Sequence, residues 1–478
     1  MKNILIFYSI FYLSIPFTCA QSWDTVGQKI SDFGNYGPNV IYADSTCLYM
    51  AGAFKTIGNK HIQGIGRWNG IQWDSLSWGI DGLEYDSLPS EYPEPTNAIT
   101  KYNGKLYVGG WFGSLGHIKS PCVGTWDGSQ WDSLPVQPFK SHYSATVWAL
   151  RVINNKLYMG GGFDTVAGFS CVGIACWNDT NWSSLNFPNL GSFGAISAIC
   201  EYKGSIYVGG NFYGNNPNDR RNILRHDSTG NWDSVGGGIK GDSWVNSMVV
   251  YDSELYVAGY FYKSDGNAGD CIQRWDGTQW HDVGGGVEGG DQIFKLIVYN
   301  GKLFAMGGFD TAGGVPADNI AEWNDTEWCS LGNTFNNTIL TGCIYKDSLY
   351  IGGGFTKINE DSIIYIAEWT GGDYTDSCGV NTTSVPQINP AISGYELRIE
   401  PNPSNGKFAV DFRAEKESGE TSIEIYNMMG QQVYDEMLKP VQHDYKIDLS
   451  SHPAGIYLYR VVTTDGKLLG DGKFVIEK

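Results

Sequence analysis

Charge is scarce in this chain, and what there is leans one way. Only 17% of residues are charged, and 51 Asp and Glu face 32 Lys and Arg, for a net charge of −19. Binding to a nucleic-acid backbone needs clustered cations to replace its counterions, so this balance excludes a nucleic-acid partner. Dispersed acidity of this kind suits solubility outside the cell. Helical signals are missing as well: no long segment joins a 3.6-residue apolar period to helix-forming residues. Beyond residue 17 no apolar run reaches the ~18 residues a spanning helix requires, and no transmembrane segment is expected. The seven histidines, at 61, 117, 142, 226, 281, 443 and 452, include no two at metal-ligand spacing. No G-x-S-x-G, H-E-x-x-H or glycine-rich phosphate loop occurs. The sequence therefore names no catalytic residue, no metal ligand and no cofactor.

The N-terminus has the form of an export signal. Lys2 precedes an apolar run from Ile4 to Phe17, and Thr18-Cys19-Ala20 places small residues before a cut. Residues 1–20 are thus expected to be a signal peptide, cleaved between Ala20 and Gln21. Nine cysteines remain after that cut, an odd number. Cys171 and Cys176 flank an expected strand without a histidine cluster, which argues against zinc. Buried thiols with one or two disulfides fit better, and spacing leaves the connectivity open.

What the chain has in abundance is glycine (63 residues) and aromatic side chains (14%), arranged periodically. A short apolar strand ending in small residues and an aromatic begins at Leu48, Leu106, Leu157, Ile206, Leu255, Leu303 and Leu349. The copies lie 46 to 58 residues apart, a period that marks stacked supersecondary units. Each unit reads as four antiparallel strands, A to D, the signature being strand B. Asn103-Gly104 is a two-residue turn between A and B, and Asp127-Gly128 between C and D. Gly113 to Pro121 reads as a polar B–C loop. Seven four-stranded units arranged radially make a seven-bladed β-propeller, expected over residues 21–380.

Tryptophan pairs five residues apart (68/73, 126/131, 177/182, 275/280 and 323/328) flank the C–D turns. A two-residue turn would put each pair diagonally on one face of the blade, where the indoles fill the seam to the next blade. The segment from Trp23 to Gly27 looks like a strand D without its preceding three. It is expected to complete the last blade and so remove an open sheet edge.

With its strand-ending glycines and the Trp that begins strand D, the unit resembles the kelch repeat. Ile320-Ala321-Glu322-Trp323 and the run Val283 to Gly286 are similar to the propeller repeats of Rax2-type cell-surface proteins. The resemblance implies the fold and leaves activity open, because such propellers include binding modules and enzymes. Residues 381–394 have a linker composition. Residues 395–478 resemble the type A sorting domain of type IX secretion cargo from the Bacteroidetes. The matching motifs contain Pro401, Asn402, Pro403 and Gly406, then Gly430, then Pro453, Gly455 and Tyr457, then Lys473 near the end. The resemblance implies a small Ig-like β-sandwich recognised by the secretion machinery, and a protein released or displayed at the outer surface after crossing the periplasm.

Loop lengths separate the two faces of the expected ring. A–B and C–D turns share a plain face, while long loops at 77–95, 137–146 and 213–222 share the other. Trp148, Trp244 and Phe294 enter strand A from the long-loop face, and Tyr143 lies in one of those loops. These aromatics either line the channel mouth for a ligand or pack to close it. The leading expectation is an exported binding module for a glycan, another surface polymer or a protein on this face. A glycan-active hydrolase or lyase and a structural or adhesive envelope protein are the alternatives.

Overall fold

The computed structural model describes residues 23–28, 30–81, 95–134, 138–139, 145–188, 194–212, 222–290, 292–370, 395–414, 421–427, 432–438, 444–463 and 468–477. The chain divides into two compact units between residues 381 and 382. The expected signal peptide with Ala20 and Gln21, the linker, Tyr143 and Gly430 lie outside the described residues.

The first unit is a seven-bladed β-propeller. Its inner strands, one per blade, are Ile30–Ala43, Thr96–Tyr102, Thr146–Ile153, Ala195–Tyr202, Trp244–Tyr251, Gln292–Tyr299 and Ile339–Tyr345. Each packs on the inner strands of the blades before and after it, and the seventh packs on the first. Blades 2 to 6 are consecutive four-stranded meanders. Blade 7 takes its fourth strand from the other end of the chain, with Trp23–Thr25 pairing antiparallel to Ile366–Trp369. The isolated N-terminal strand thus closes the ring, as its sequence implies.

The A–B turns have the expected chemistry. Tyr102 pairs with Lys105 across Asn103 (φ 45°) and Gly104 (φ 80°), both left-handed as a type I′ turn demands. The C–D connections differ from expectation. Trp126 pairs directly with Trp131, so residues 127–130 form a four-residue loop and the two indoles stand opposite each other. The cause is the first loop residue. The Asp127 carboxylate accepts from the amides of Ser129 and Gln130, a local trap that fixes the longer loop. Asn69, Asn178, Asp276 and Asn324 accept in the same way.

The tryptophans fill the seams. The five cross-strand pairs have ring centroids 5.1–5.6 Å apart, and Trp23 with Trp369 makes a sixth pair at 4.8 Å. The strand-D indole then reaches the preceding blade. Trp73 donates to the carbonyl of Val26, Trp131 to Leu76, Trp232 to Leu185, Trp280 to Val235 and Trp328 to Val283, at 2.8–3.1 Å. At the turn end a second set latches forward. The hydroxyls of Tyr102, Tyr202, Tyr251, Tyr299 and Tyr345 donate to turn carbonyls of the next blade. Every buried indole or hydroxyl so paired avoids the cost of an unsatisfied polar group.

The long-loop face is more ordered than a set of loops. Ser114–Leu115 and Ile118–Lys119 form a hairpin where a polar loop is expected, and Ile80–Asp81 of the blade 1–2 connection pairs with it. Comparable three-stranded patches join 138–139 to 165–170 and 287–288 to 311–316. Fully buried Leu115 pins the first of these hairpins. Among the cysteines, Cys329 is disulfide-bonded, whereas Cys47, Cys122, Cys171, Cys176, Cys200 and Cys343 are free thiols.

The second unit is a small β-sandwich. One sheet holds Tyr395–Glu400, Lys407–Ala414 and Asp444–Asp448, and the other Gln432–Leu438, Thr421–Asn427, Gly455–Thr463 and Leu468–Ile476. Phe408, Val410, Ile423, Ile425, Tyr457 and Phe474 lie in the core between them.

Candidate ligand-binding channel

The signature strand contains the instruction that builds the channel. Its fifth residue is glycine in every blade: Gly52, Gly110, Gly161, Gly210, Gly259, Gly307 and Gly353. In six of them an added Cβ would come within 2.4 Å of a backbone carbonyl oxygen at the start of the inner strand or just before it, for example 1.9 Å from that of Ala195 at Gly210. That close approach admits a β-bulge. In each blade the inner strand carries one extra residue opposite the signature's fourth and fifth residues. A bulge re-aims the side chain it inserts. The seven inserted residues are Asn39, Asn97, Trp148, Ser197, Asn246, Phe294 and Leu340, and all seven line one central cavity of about 590 Å³.

Polar members of this ring are clipped across the seams. Asn97 Nδ2 donates to the Val147 carbonyl, Ser197 Oγ to that of Val245, and Asn246 Nδ2 to that of Ile293. Each acceptor is the carbonyl just before the next blade's bulge, where the ladder is interrupted. Asn246 Nδ2 also meets Gln292 Oε1 at 2.9 Å.

Three of the four aromatics singled out in the sequence come together here. Trp148 and Trp244 contact edge to face with centroids 6.1 Å apart, although blade 4 lies between their blades. Trp244 Nε1 donates to Ser197 Oγ, which fixes its ring. Trp148 is 37% exposed, and Phe294 and Trp244 are half-buried. They line the mouth without filling it.

Deeper in the channel are side chains that no motif marks. Lys295 of blade 6 and Arg151 of blade 3 both line the cavity, with Tyr42, Thr100, Ser247, Thr341 and Cys343. Burial and the repulsion of Arg151 hold the Lys295 ammonium below its ordinary pKa. Burial pushes the Cys343 thiol up to about 12, so it stays protonated at neutral pH. Among the described residues no Asp or Glu lines the cavity, and none forms an ion pair with either cation. No group of three or more possible metal ligands occurs among them either. Residues 82–94, most of the long loop at 77–95, lie outside the described residues.

In the tail, the sorting-motif residues converge by two routes. Asn402 Oδ1 accepts from the Val475 amide, and Ser404 exchanges backbone bonds with Val475 and Glu477, joining the first motif to the last. Gly406 (φ 93°) lies against Ser450, where a Cβ would come within 2.6 Å of backbone. Tyr457 is buried, stacks on Phe474 and donates to the Pro453 carbonyl. Pro401, Asn402, Pro403, Pro453, Gly455 and Lys473 are exposed.

Residues 398–477 match the family model described as the secretion system C-terminal sorting domain. That tail directs export by the type IX secretion system to the cell surface or the medium. Among the described residues no helix is long and apolar enough to cross a membrane. No curated protein matches the chain. Among solved structures it is similar to PorZ, described as an essential bacterial surface component of the type-IX secretion system of Porphyromonas gingivalis. The identity there is 12% and the TM-score 0.41, over 94% of this chain and 59% of that one. It is also similar to the extracellular domain of a putative one-component system from B. thetaiotaomicron, at 12% identity and TM-score 0.42, over 95% of this chain and 57% of that one. The chain thus spans less than two thirds of either structure.

Proposed function

We propose that this type IX cargo is a binding module at the cell surface, and that the mouth of the propeller channel takes a glycan or a related surface polymer. The observation that carries this reading is the ring of seven bulged side chains. It sets Trp148, Phe294 and, beside them, Trp244 around a cavity of about 590 Å³. That volume lies within the range of small-ligand sites, about 300–1,000 Å³. Flat aromatic faces pack on the C–H faces of sugar rings, and the amides of Asn39, Asn97 and Gln292 suit hydroxyl groups.

The test is a glycan array probed with the mature protein and with Trp148→Ala, followed by product analysis of every hit. Binding that the substitution weakens, with the glycan recovered intact, supports the module. New reducing or unsaturated ends would move the reading to a hydrolase or lyase. A channel that retains no glycan at all would leave a structural or adhesive role.

A further inference from the structure

Two cations line the channel of a protein whose net charge is −19, and no carboxylate among the described residues lines it with them. A structure this acidic has carboxylates to spare for pairing with its cations. It does so elsewhere: Lys302 pairs with fully buried Glu322, Arg274 with Glu254, and Lys101 with Asp44 at 2.8 Å. Inside the channel no such pair occurs among the described residues. Lys295, half-buried, and Arg151, which is exposed to solvent, both line the cavity, and the charge of Arg151 opposes that of Lys295. Among the described residues the other titratable or hydroxyl-bearing groups of the lining are neutral, including the Tyr42 and Thr341 hydroxyls and the protonated thiol of Cys343.

We infer that the channel floor is an anion subsite, and that the ligand is an acidic saccharide whose carboxylate or sulfate group reaches Lys295 and Arg151 while its sugar ring rests at Trp148 and Trp244. This rests on the reading of the channel mouth as a glycan site and adds the ligand's charge to it. The depth order agrees with an amphipathic guest. Along the inner strands the bulge residues come first, Lys295 follows its bulge directly, and Arg151 lies three residues past its own. An incoming sugar therefore meets aromatic and amide groups before it meets charge. A guanidinium offers a planar, bidentate fork to a carboxylate or sulfate, and a lysine offers a point charge beside it.

The experiment compares one sugar backbone with and without its charge. Calorimetric titration of the mature full chain uses an oligogalacturonide, its methyl ester and inorganic sulfate, alongside an array of sulfated, uronate-bearing and neutral glycans. Acidic hits are expected to bind about tenfold or more tightly than their neutral counterparts, the usual size of a charge-assisted hydrogen bond. Arg151→Met and Lys295→Met should each remove that advantage and leave binding of neutral analogues unchanged, while Trp148→Ala weakens both. Unchanged melting temperatures of the two Met variants confirm that they fold. Array hits that bind equally well with and without charge, or that are neutral only, overturn the anion subsite and leave the glycan site standing. Sulfate alone binding as tightly as any acidic glycan overturns the saccharide assignment. An array without hits overturns both readings.

Discussion

The seams between blades and the channel they enclose come from the same seven repeats, yet they treat repetition in opposite ways. At the seams the same types recur: an indole pair in six blades, and a Tyr hydroxyl latching forward in five. On the channel wall the equivalent position reads Asn, Asn, Trp, Ser, Asn, Phe, Leu. Packing between near-identical blades poses one problem with one good answer, so the residues repeat. A ligand is not sevenfold symmetric, and the wall facing it need not be. Where a repeat array departs from its own pattern while the backbone keeps it, the departure marks the place to look for recognition.

That contrast can be broken at several points. The largest effect is expected at a seam. Trp328→Ala removes a side chain that is 2% exposed together with its bond to Val283, and should cost about 3–5 kcal/mol in urea unfolding. Trp328→Phe, which keeps a ring but strands that carbonyl, should cost about 1–3 kcal/mol. Next comes the bulge itself. Gly210→Ala drives a methyl group into the Ala195 carbonyl and should cost about 1–3 kcal/mol, with loss of any binding that depends on the adjacent Ser197. Gly204→Ala, in an A–B turn with open space around it, serves as the control for backbone strain alone and should cost about 1–2 kcal/mol without touching binding. On the channel wall, Trp148→Ala should change stability by no more than about 0.5 kcal/mol, since the ring is partly exposed. A large destabilisation there would show that Trp148 is packing after all, and the contrast between seam and wall would collapse.

The smallest effect is a matter of pH, on the turn face. Burial disfavours ionisation of Asp44, but hydrogen bonds from Lys101, the Thr46 hydroxyl and the amides of Thr46 and Cys47 outweigh it and hold the carboxyl at about 2, below its usual 3.8. A carboxyl whose pKa is lower in the folded state stabilises the protein above the unfolded value. That contribution disappears as pH falls from 3.8 toward 2. Asp44→Asn should therefore flatten the loss of unfolding free energy in this window. An unchanged acid limb would deny the turn its ion pair.

How much of this could be read from the sequence depended on how local the cause was. The A–B turns were legible because Asn103 and Gly104 carry the φ preference in their own side chains. Ring closure was legible because Trp23-Asp24 repeats the strand-D pattern of Trp131-Asp132. The C–D loops were misjudged by two residues, because Asp127-Gly128 signals a tight turn while the Asp side chain, two and three residues on, selects a wider one. The channel ring was not legible as a ring. Its bulges arise from a close approach between strands A and B, and only the glycine at the fifth signature position hints at it. Lys295 and Arg151 could not be paired from sequence at all, since blades 3 and 6 meet only across the finished channel.

Closure of blade 7 has a consequence for how the ring comes into being. The strand at Trp23–Thr25 is the first part of the propeller to be made, and its partner at Ile366–Trp369 is nearly the last. Until both are present, the final sheet keeps a bare edge with unanswered amides, open to any stray strand. The chain therefore contains its own completeness check. A product cut short anywhere in the last blade cannot clasp, and a free peptide copying residues 21–28 should be able to fill the vacant edge of a chain that starts too late.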